Sequence, residues 1–267
     1  MTEPRVLFEK SQGIVTLTLN RPDELNAFSE APMIEAFLAA LDQVSAEPDV
    51  RCVILTGAGR AFSAGGNVKH MRDKTDMFAG SAADIERAYA QGIHRVPPKL
   101  WGLEIPVIAA VNGPAYGAAL DLVCMCDIRL ASTAAKFGAP FVKIGIAPGD
   151  GAAWFLSRIV GPSHAAEMIL TGDPVDADTA KAMGLVSRVV DPDALMREAH
   201  ALAEKIAANA PLALQLSKRL LRKAPHQTLE DHLSLCASYQ AVLHGTADHS
   251  EAVTALLEKR KPVFTAE

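Results

Sequence analysis

Two segments of small residues, Phe62–Asn67 and Gly113–Ala119, are the parts of this sequence best suited to hold a ligand through the main chain. Each follows an apolar run that predicts a buried strand, and each precedes a predicted helix. Small side chains let a ligand approach the backbone closely, and the first N–H groups of a helix have no partner within it. Two such segments facing each other could form an oxyanion hole. The alternative is that both are tight turns.

Two aspartates stand in settings that suggest proton transfer. Asp121 lies between leucines in a predicted helix, where an unpaired carboxylate is costly and Asp is a poor interior residue. Such a group is either paired or held for proton transfer with a perturbed pKa. Asp150 comes directly before another predicted helix, so its default role is that of an N-cap. Proton transfer is the alternative for Asp150.

Other kinds of site are not favoured by the sequence. It has no Gly-x-x-x-x-Gly-Lys-Ser/Thr phosphate loop, and Cys124 and Cys126 lack a second pair of metal ligands. Ser63 stands in a segment that lacks the first Gly of a nucleophile elbow, so we expect a turn residue. Asp127 and Arg129 are spaced as a structural charged pair. We therefore expect no metal site.

The elements that position these residues alternate between strand and helix. This alternation predicts an α/β fold with a mostly parallel or mixed sheet. The predicted strands are Val6–Lys10, Ile14–Leu19, Val50–Leu55, Ile105–Val111, Asp127–Ser132 and Leu185–Val190. Helices are predicted from a Ser29 cap to about Pro48, after a possible Asn67 cap, and over Gly117–Cys126, Gly151–Val160, Ser163–Leu170, Asp178–Met183, Asp193–Asn209, Leu212–Arg222, Leu229–Leu243 and Asp248–Lys261. We divide the chain into an α/β core, residues 1–190, and a helical region, residues 191–267.

Composition excludes several classes of protein. The chain has 267 residues, enough to bury a large core without disulfides, and its 26 basic and 31 acidic residues are mixed along its length. A net charge of −5 argues against a nucleic-acid partner bound by bulk charge. Four Cys and no evident signal segment predict reduced thiols and a cytoplasmic location. The longest apolar stretch is interrupted by polar residues, so we expect no membrane span.

Several motifs resemble the crotonase family, also called the enoyl-CoA hydratase/isomerase superfamily. Residues 20–27 resemble its Asn-Arg-Pro-x-x-x-Asn-Ala segment, and Ala61–Asn67 resembles its Ala-Phe-x-Ala-Gly-x-Asp loop, with Asn67 in place of Asp. Lys99–Met125 resembles the segment that leads into the family's second oxyanion donor. Leu170–Asp173 and Ala182–Val186 are also similar. The resemblance extends over nearly the whole chain.

The resemblance implies a spiral of ββα units with a C-terminal helical region that builds homotrimers or homohexamers. It also implies an acyl-CoA thioester substrate, with coenzyme A as part of that substrate and no permanently bound cofactor. The thioester oxygen would accept hydrogen bonds from the N–H groups of Ala64 and Ala118. The residues implied in binding coenzyme A or the acyl group are Leu25, Ala27, Ala64, Gly65, Gly66, Asn67, Gly117, Phe141, Trp154, Lys261 and Phe264.

The departures from the family pattern concern the acids. Hydratases of the family use two Glu; Asp121 occupies the first position and Phe141 the second. The family's dienoyl-CoA isomerases carry an Asp at the first position and another carboxylate in the loop of Asp150. Asp121 and Asp150 are therefore our candidate catalytic pair.

We expect an enoyl-CoA hydratase, the commonest activity attached to such sequences. The alternatives are a dienoyl-CoA isomerase, an acyl-CoA thioester hydrolase, or a non-catalytic scaffold that binds acyl-CoA or RNA. A serine peptidase of a related fold would require a His and an Asp near Ser63.

Overall fold

Residues 3–265 are described by a computed structural model. The strands are β1 (Val6–Ser11), β2 (Ile14–Leu19), β3 (Cys52–Gly57), β4 (Val107–Val111), β5 (Ala115–Tyr116), β6 (Ile128–Ser132), β7 (Lys136–Gly138), β8 (Val175–Asp176) and β9 (Arg188–Val190). The larger sheet has the order β1-β2-β3-β4-β6-β9, and β5, β7 and β8 form a smaller one. In the larger sheet β1 and β2 pair antiparallel and all later neighbours pair parallel. The predicted α/β class and mixed sheet are confirmed.

Helices follow most of the strands. They are α1 (Ala31–Ala46), α2 (Val68–Asp73), α3 (Ala82–Gln91), α4 (Val96–Gly102), α5 (Ala118–Met125), α6 (Ala152–Ile159), α7 (Gly161–Thr171), α8 (Ala177–Ala182), α9 (Leu195–Ala207), α10 (Pro211–Lys223), α11 (Leu229–His244) and α12 (Ala247–Leu257). No helix within residues 3–265 is both long enough and apolar enough to cross a membrane.

The core has two layers, one on each face of the larger sheet. Alternate residues of β3 point to opposite faces, as strand geometry requires. Val53 and Leu55 join the layer that contains α1 and α5, while Ile54 joins the layer covered by Leu195 and Ala199 of α9. Helix α9 follows the boundary predicted at residue 190, yet it packs directly on the sheet.

Three details of the sequence prediction are wrong. Helix α1 has Glu30 at its N-cap, and the Ser29 hydroxyl instead accepts a hydrogen bond from the Asn67 N–H at 3.0 Å. Asp127 does not pair with Arg129; it pairs with Lys218 and Arg222 of α10. Helix α12 ends at Leu257, four residues before Lys261. The predicted Asn67 cap of α2 is confirmed, because its side chain accepts from the Lys69 N–H.

Candidate active site

Backbone hydrogen bonds hold the two small-residue segments side by side. Ser63 and Ala115 form a parallel bridge. The N–H of Ser63 donates to Pro114 O at 3.1 Å, and the Tyr116 N–H donates to Ser63 O at 3.2 Å. Gly65 adopts φ +78°, and a Cβ there would lie 2.2 Å from Tyr116 O. The close approach of the two segments therefore requires glycine at position 65.

The N–H groups of Gly66 and Ala118 are free in this arrangement. Among the described residues neither has a hydrogen-bond partner, and both residues line the same cavity. Ala118 is the first residue of α5, where an N–H has no partner within the helix. The N–H of Ala64 donates to Leu25 O at 2.9 Å and is therefore occupied within the fold. This corrects the predicted pair of donors: the free N–H in the first segment belongs to Gly66.

The cavity beside these donors has a volume of about 110 Å³ and a mostly apolar lining. Phe141, which occupies the family's second acid position, is buried and forms part of this lining. Other apolar side chains in the wall are those of Phe28, Met71, Met77, Phe78 and Ile93. Polar groups reach the wall through Ser29, Tyr89, Tyr116 and Asp150. The cavity thus offers an apolar compartment with few titratable groups.

Asp150 is the acid that faces this cavity. It is 8% exposed, and its Oδ1 atom has no hydrogen-bond partner. Helix α6 has Gly151 at its N-cap, with φ +111°, so the predicted capping role of Asp150 is wrong. Burial raises the pKa of Asp150 to about 6, and the nearby His94 acts against this rise. A carboxyl group with this pKa can both accept and release a proton near neutral pH.

Asp121 lies in the interior behind the cavity wall. It is fully buried, and neither carboxyl oxygen accepts a hydrogen bond. Burial, with the charge of Asp150 as a further cause, raises its pKa well above the usual value. The predicted apolar setting of Asp121 is therefore confirmed, but the structure does not bring its side chain to the cavity.

Tyr89 is a residue of the cavity wall that the sequence did not suggest. Burial and the charge of Asp150 raise the pKa of its phenol. Its ring lies 5.4 Å from that of His94, whose Nε2 is 2.8 Å from Gly149 O. Helix α3, which carries Tyr89, was not predicted, although Ser81 and Asp84 form a capping box that marks its start.

The other predicted binding residues are divided between the cavity and its surroundings. Ala64 and Gly117 line the cavity, whereas Leu25, Ala27 and Gly65 do not. The amide of Asn67 caps α2 and donates to Glu30 Oε1 at 3.1 Å, a structural role.

Trp154, Lys261 and Phe264 do not line the cavity formed by this one chain. The ring of Trp154 packs against those of Trp101 and Phe155, with centroids 5.6 and 4.7 Å away. Lys261 is exposed in the segment that follows α12. Within residues 3–265, no three His, Cys, Asp or Glu side chains are grouped so that they could hold a metal ion.

The chain is similar to known proteins over nearly its whole length. The enoyl-CoA hydratase/isomerase family model matches residues 9–267. A probable enoyl-CoA hydratase of Mycobacterium tuberculosis is 38% identical over 267 residues, covering 99% of each chain. The 1,2-epoxyphenylacetyl-CoA isomerase of Escherichia coli is 36% identical over 260 residues, which cover 97% of this chain and 98% of that protein. The crystal structure of an enoyl-CoA hydratase from Bacillus anthracis superposes with a TM-score of 0.92 at 32% identity, covering 98% of this chain and 100% of that one. The chain therefore belongs to the enoyl-CoA hydratase/isomerase family and has its fold.

Proposed function

We propose that the protein shifts a double bond along the acyl chain of an unsaturated acyl-CoA by moving a proton. The observation that carries this proposal is the position of Asp150, the acid on the wall of an otherwise apolar cavity that also contains the Gly66 and Ala118 N–H groups. A shift of one proton between two carbons requires only one group that accepts and then returns it. Asp150, with a pKa of about 6, has the chemistry for both steps.

The proposed reaction conserves every atom of the substrate. The ionised Asp150 removes a proton from the α-carbon of a 3-enoyl-CoA, and the C–H electron pair forms a dienolate whose negative charge rests on the thioester oxygen. The N–H groups of Gly66 and Ala118 stabilise that oxygen. The protonated Asp150 then gives its proton to the γ-carbon, which yields the 2-enoyl-CoA and regenerates the carboxylate.

Hydration, the activity expected from the sequence, is the second candidate. It is favoured by the names of relatives such as the probable hydratase of Mycobacterium tuberculosis and the crotonyl-CoA hydratase of Syntrophomonas wolfei. It would require a water molecule beside Asp150 and a proton donor for the α-carbon. Phe141 cannot supply that proton, and Asp121 does not reach the cavity. These two features favour isomerisation over hydration.

One experiment separates the candidate activities. The protein is incubated with 3-enoyl-CoA and 2-enoyl-CoA thioesters in water labelled with heavy oxygen, and products are separated by liquid chromatography against authentic standards and then identified by mass spectrometry. Isomerisation yields the positional isomer without labelled oxygen. A 3-hydroxyacyl-CoA carrying labelled oxygen would show hydration instead, and free coenzyme A would show thioester hydrolysis. If the protein binds the thioesters measurably but leaves them unchanged, it acts as a binding scaffold. That result would contradict the proposal.

The role of the Ala118 N–H can be tested with Ala118→Pro. Proline is well tolerated at the first position of a helix, which Ala118 occupies, so the variant removes a donor without breaking α5. Loss of one oxyanion donor lowers turnover by about 10²–10³-fold. Ala119→Ser, at the next buried position, retains all backbone donors and serves as the control. Full activity of a correctly folded Ala118→Pro variant would contradict this assignment.

We also infer that the chain self-associates through its last helices. Leu229 and Leu233 of α11 and Leu256 and Leu257 of α12 are exposed, and exposed apolar patches of this kind mark interaction surfaces. Assembly of this kind could bring Lys261 and Phe264 of one copy near the coenzyme A bound to another. Light scattering should show trimers or hexamers at micromolar concentration, and a stable monomer would contradict the inference.

A further inference from the structure

A second, larger cavity lies between α4 and α10, away from the candidate active site. Its volume is about 570 Å³, and Trp101 of α4 forms part of its wall. Four basic side chains of α10 line it, those of Lys218, Arg219, Arg222 and Lys223. The acidic residue in its lining is Glu104, which pairs with Arg219. The protein as a whole carries a charge of −5, so this concentration of positive charge is a local feature.

Two buried cations beneath this cavity share a single carboxylate. Lys218 Nζ is 2.7 Å from Asp127 Oδ2, and Arg222 Nη2 is 2.6 Å from Asp127 Oδ1. The side chains of Lys218 and Arg222 are only 7% and 13% exposed. One carboxylate can neutralise one of them, so one positive charge remains without a counter-charge. A buried charge without a partner is costly, and binding an anion would remove that cost.

Hydrogen-bond donors remain available at the same place. The buried Nε of Arg222 has no hydrogen-bond partner. Lys218 Nζ donates to Ile105 O and to Asp127, which leaves one of its three N–H groups unused. Burial lowers the pKa of Lys218, and the charge of Arg222 contributes to this. At the exposed rim, Lys223 forms no ion pair with any residue of the described chain.

We propose that this cavity binds a phosphate group of a small molecule. A planar guanidinium beside an ammonium group suits the tetrahedral oxygens of phosphate, which accept hydrogen bonds from several directions. A dianion would neutralise the unpaired charge of the Lys218–Arg222 pair together with that of Lys223. The proposal is independent of the reaction proposed above, because none of these residues lines the cavity of Asp150.

The two tryptophans of the sequence provide a direct readout of binding. The guanidinium of Arg222 lies 3.6 Å from the centre of the Trp101 ring. The second tryptophan, Trp154, packs edge-on against Trp101 at 5.6 Å. An anion bound to Arg222 would draw the positive charge of the guanidinium away from the Trp101 ring. Tryptophan emission should therefore change as the cavity fills.

The test is a fluorescence titration of the full chain with inorganic phosphate at constant ionic strength. We expect a saturable change in emission, with chloride and acetate producing no saturable change. Arg222→Gln removes the excess charge and one donor, and should weaken phosphate binding at least tenfold. Arg158→Gln is the matched control, because this exposed guanidinium lies 4.0 Å from the Trp154 ring but outside the cavity. The control should bind phosphate as the unaltered protein does.

A second variant covers the case in which Arg222→Gln does not fold. Lys223→Gln alters an exposed side chain at the rim and should weaken binding about threefold while leaving the melting temperature unchanged. The proposal is overturned if phosphate causes no saturable change, or if Lys223→Gln and a folded Arg222→Gln bind phosphate as tightly as the unaltered protein. Equal affinity for acetate would overturn the assignment to phosphate.

Discussion

The partly buried Asp127 and the buried pair Asp121 and Asp150 show two ways of placing a carboxylate inside one chain. Asp127 contacts two cations on α10 and also accepts the Val107 N–H at 2.8 Å. Both oxygens of Asp121 and the Oδ1 atom of Asp150 have no partner. Asp127 therefore joins α10 to the sheet. The other two groups have raised pKa values, and the one that faces a cavity can exchange protons near neutral pH.

The difference shows which buried acids are available for chemistry. A carboxylate surrounded by partners is stabilised in one protonation state, and removing a partner costs folding free energy. A carboxylate without partners destabilises the fold when ionised, so its presence needs another explanation. Catalysis is the explanation we propose for Asp150, since it alone of the three lines a cavity beside free N–H donors.

The largest expected effect comes from Asp150→Asn. Asn retains the size of the side chain but cannot carry the proton, so kcat should fall by about 10²–10⁴-fold. Folding should not suffer. Because the pKa of Asp150 is raised from 3.8 to about 6, the folded state binds its proton more tightly than the unfolded state, so stability falls as the pH rises through this range and stays at the lower level above it. The variant should therefore match or exceed the unaltered melting temperature at pH 7. Retained activity would show that the unpartnered Asp150 is no more used in catalysis than the paired Asp127.

Asp127→Asn should have the opposite outcome, with loss of stability. The change leaves Lys218 and Arg222 buried with no counter-charge, and breaking a buried pair in this way costs about 3–5 kcal/mol. The free energy of unfolding can be measured by urea denaturation. Asp42→Asn is the control, because Asp42 pairs with Lys99 at the surface, where an ion pair contributes only about 0–1 kcal/mol. Equal losses of unfolding free energy in the two variants would show that burying the cations paired with Asp127 adds nothing to stability.

The pH dependence of turnover is the next smaller effect. A general base must be ionised, so kcat/KM should rise about tenfold per pH unit below the pKa of Asp150 and level off above about pH 6. Initial rates with a 3-enoyl-CoA between pH 4.5 and 8 measure this, with circular dichroism to confirm folding at each pH. A profile that is flat from pH 5 to 8 would show that Asp150 does not titrate during catalysis.

The smallest expected effect comes from Asp121→Asn. Burial raises the pKa of Asp121 and so favours its neutral form, and an amide is a neutral group of similar shape. We expect kcat to change by less than about tenfold, with the midpoint of the pH profile still near 6, since a group outside the cavity does not transfer the proton itself. A loss comparable to that of Asp150→Asn would restore the two-aspartate mechanism suggested by the sequence.

Local patterns in the sequence were sufficient to predict most strands of the larger sheet. The alternating residues of Ile14–Leu19 define β2 at its observed bounds, and the apolar setting of Asp121 is correct. The smaller sheet was missed because strands of two or three residues are too short to show a period.

The roles of individual site residues depended on contacts distant in sequence. The N–H of Ala64 is occupied by Leu25 O, and no local pattern reveals this partner 39 residues away. Likewise, the positive φ of Gly151 gives the N-cap position to glycine and leaves the Asp150 side chain free to face the cavity. The family resemblance identified the loops, and the folded chain decided which atoms in them are free.

The bridge between Ser63 and Ala115 has a consequence for evolution. Main-chain hydrogen bonds join the two segments that carry the Gly66 and Ala118 donors. Mutations that reshape the cavity through side chains such as Phe141 therefore leave the donors where they are, so one ancestral scaffold can diverge towards new acyl groups in small steps. Position 65 has no such freedom, because any side chain would collide with Tyr116 O. Descendant sequences should vary widely around the cavity and hardly at all at this glycine.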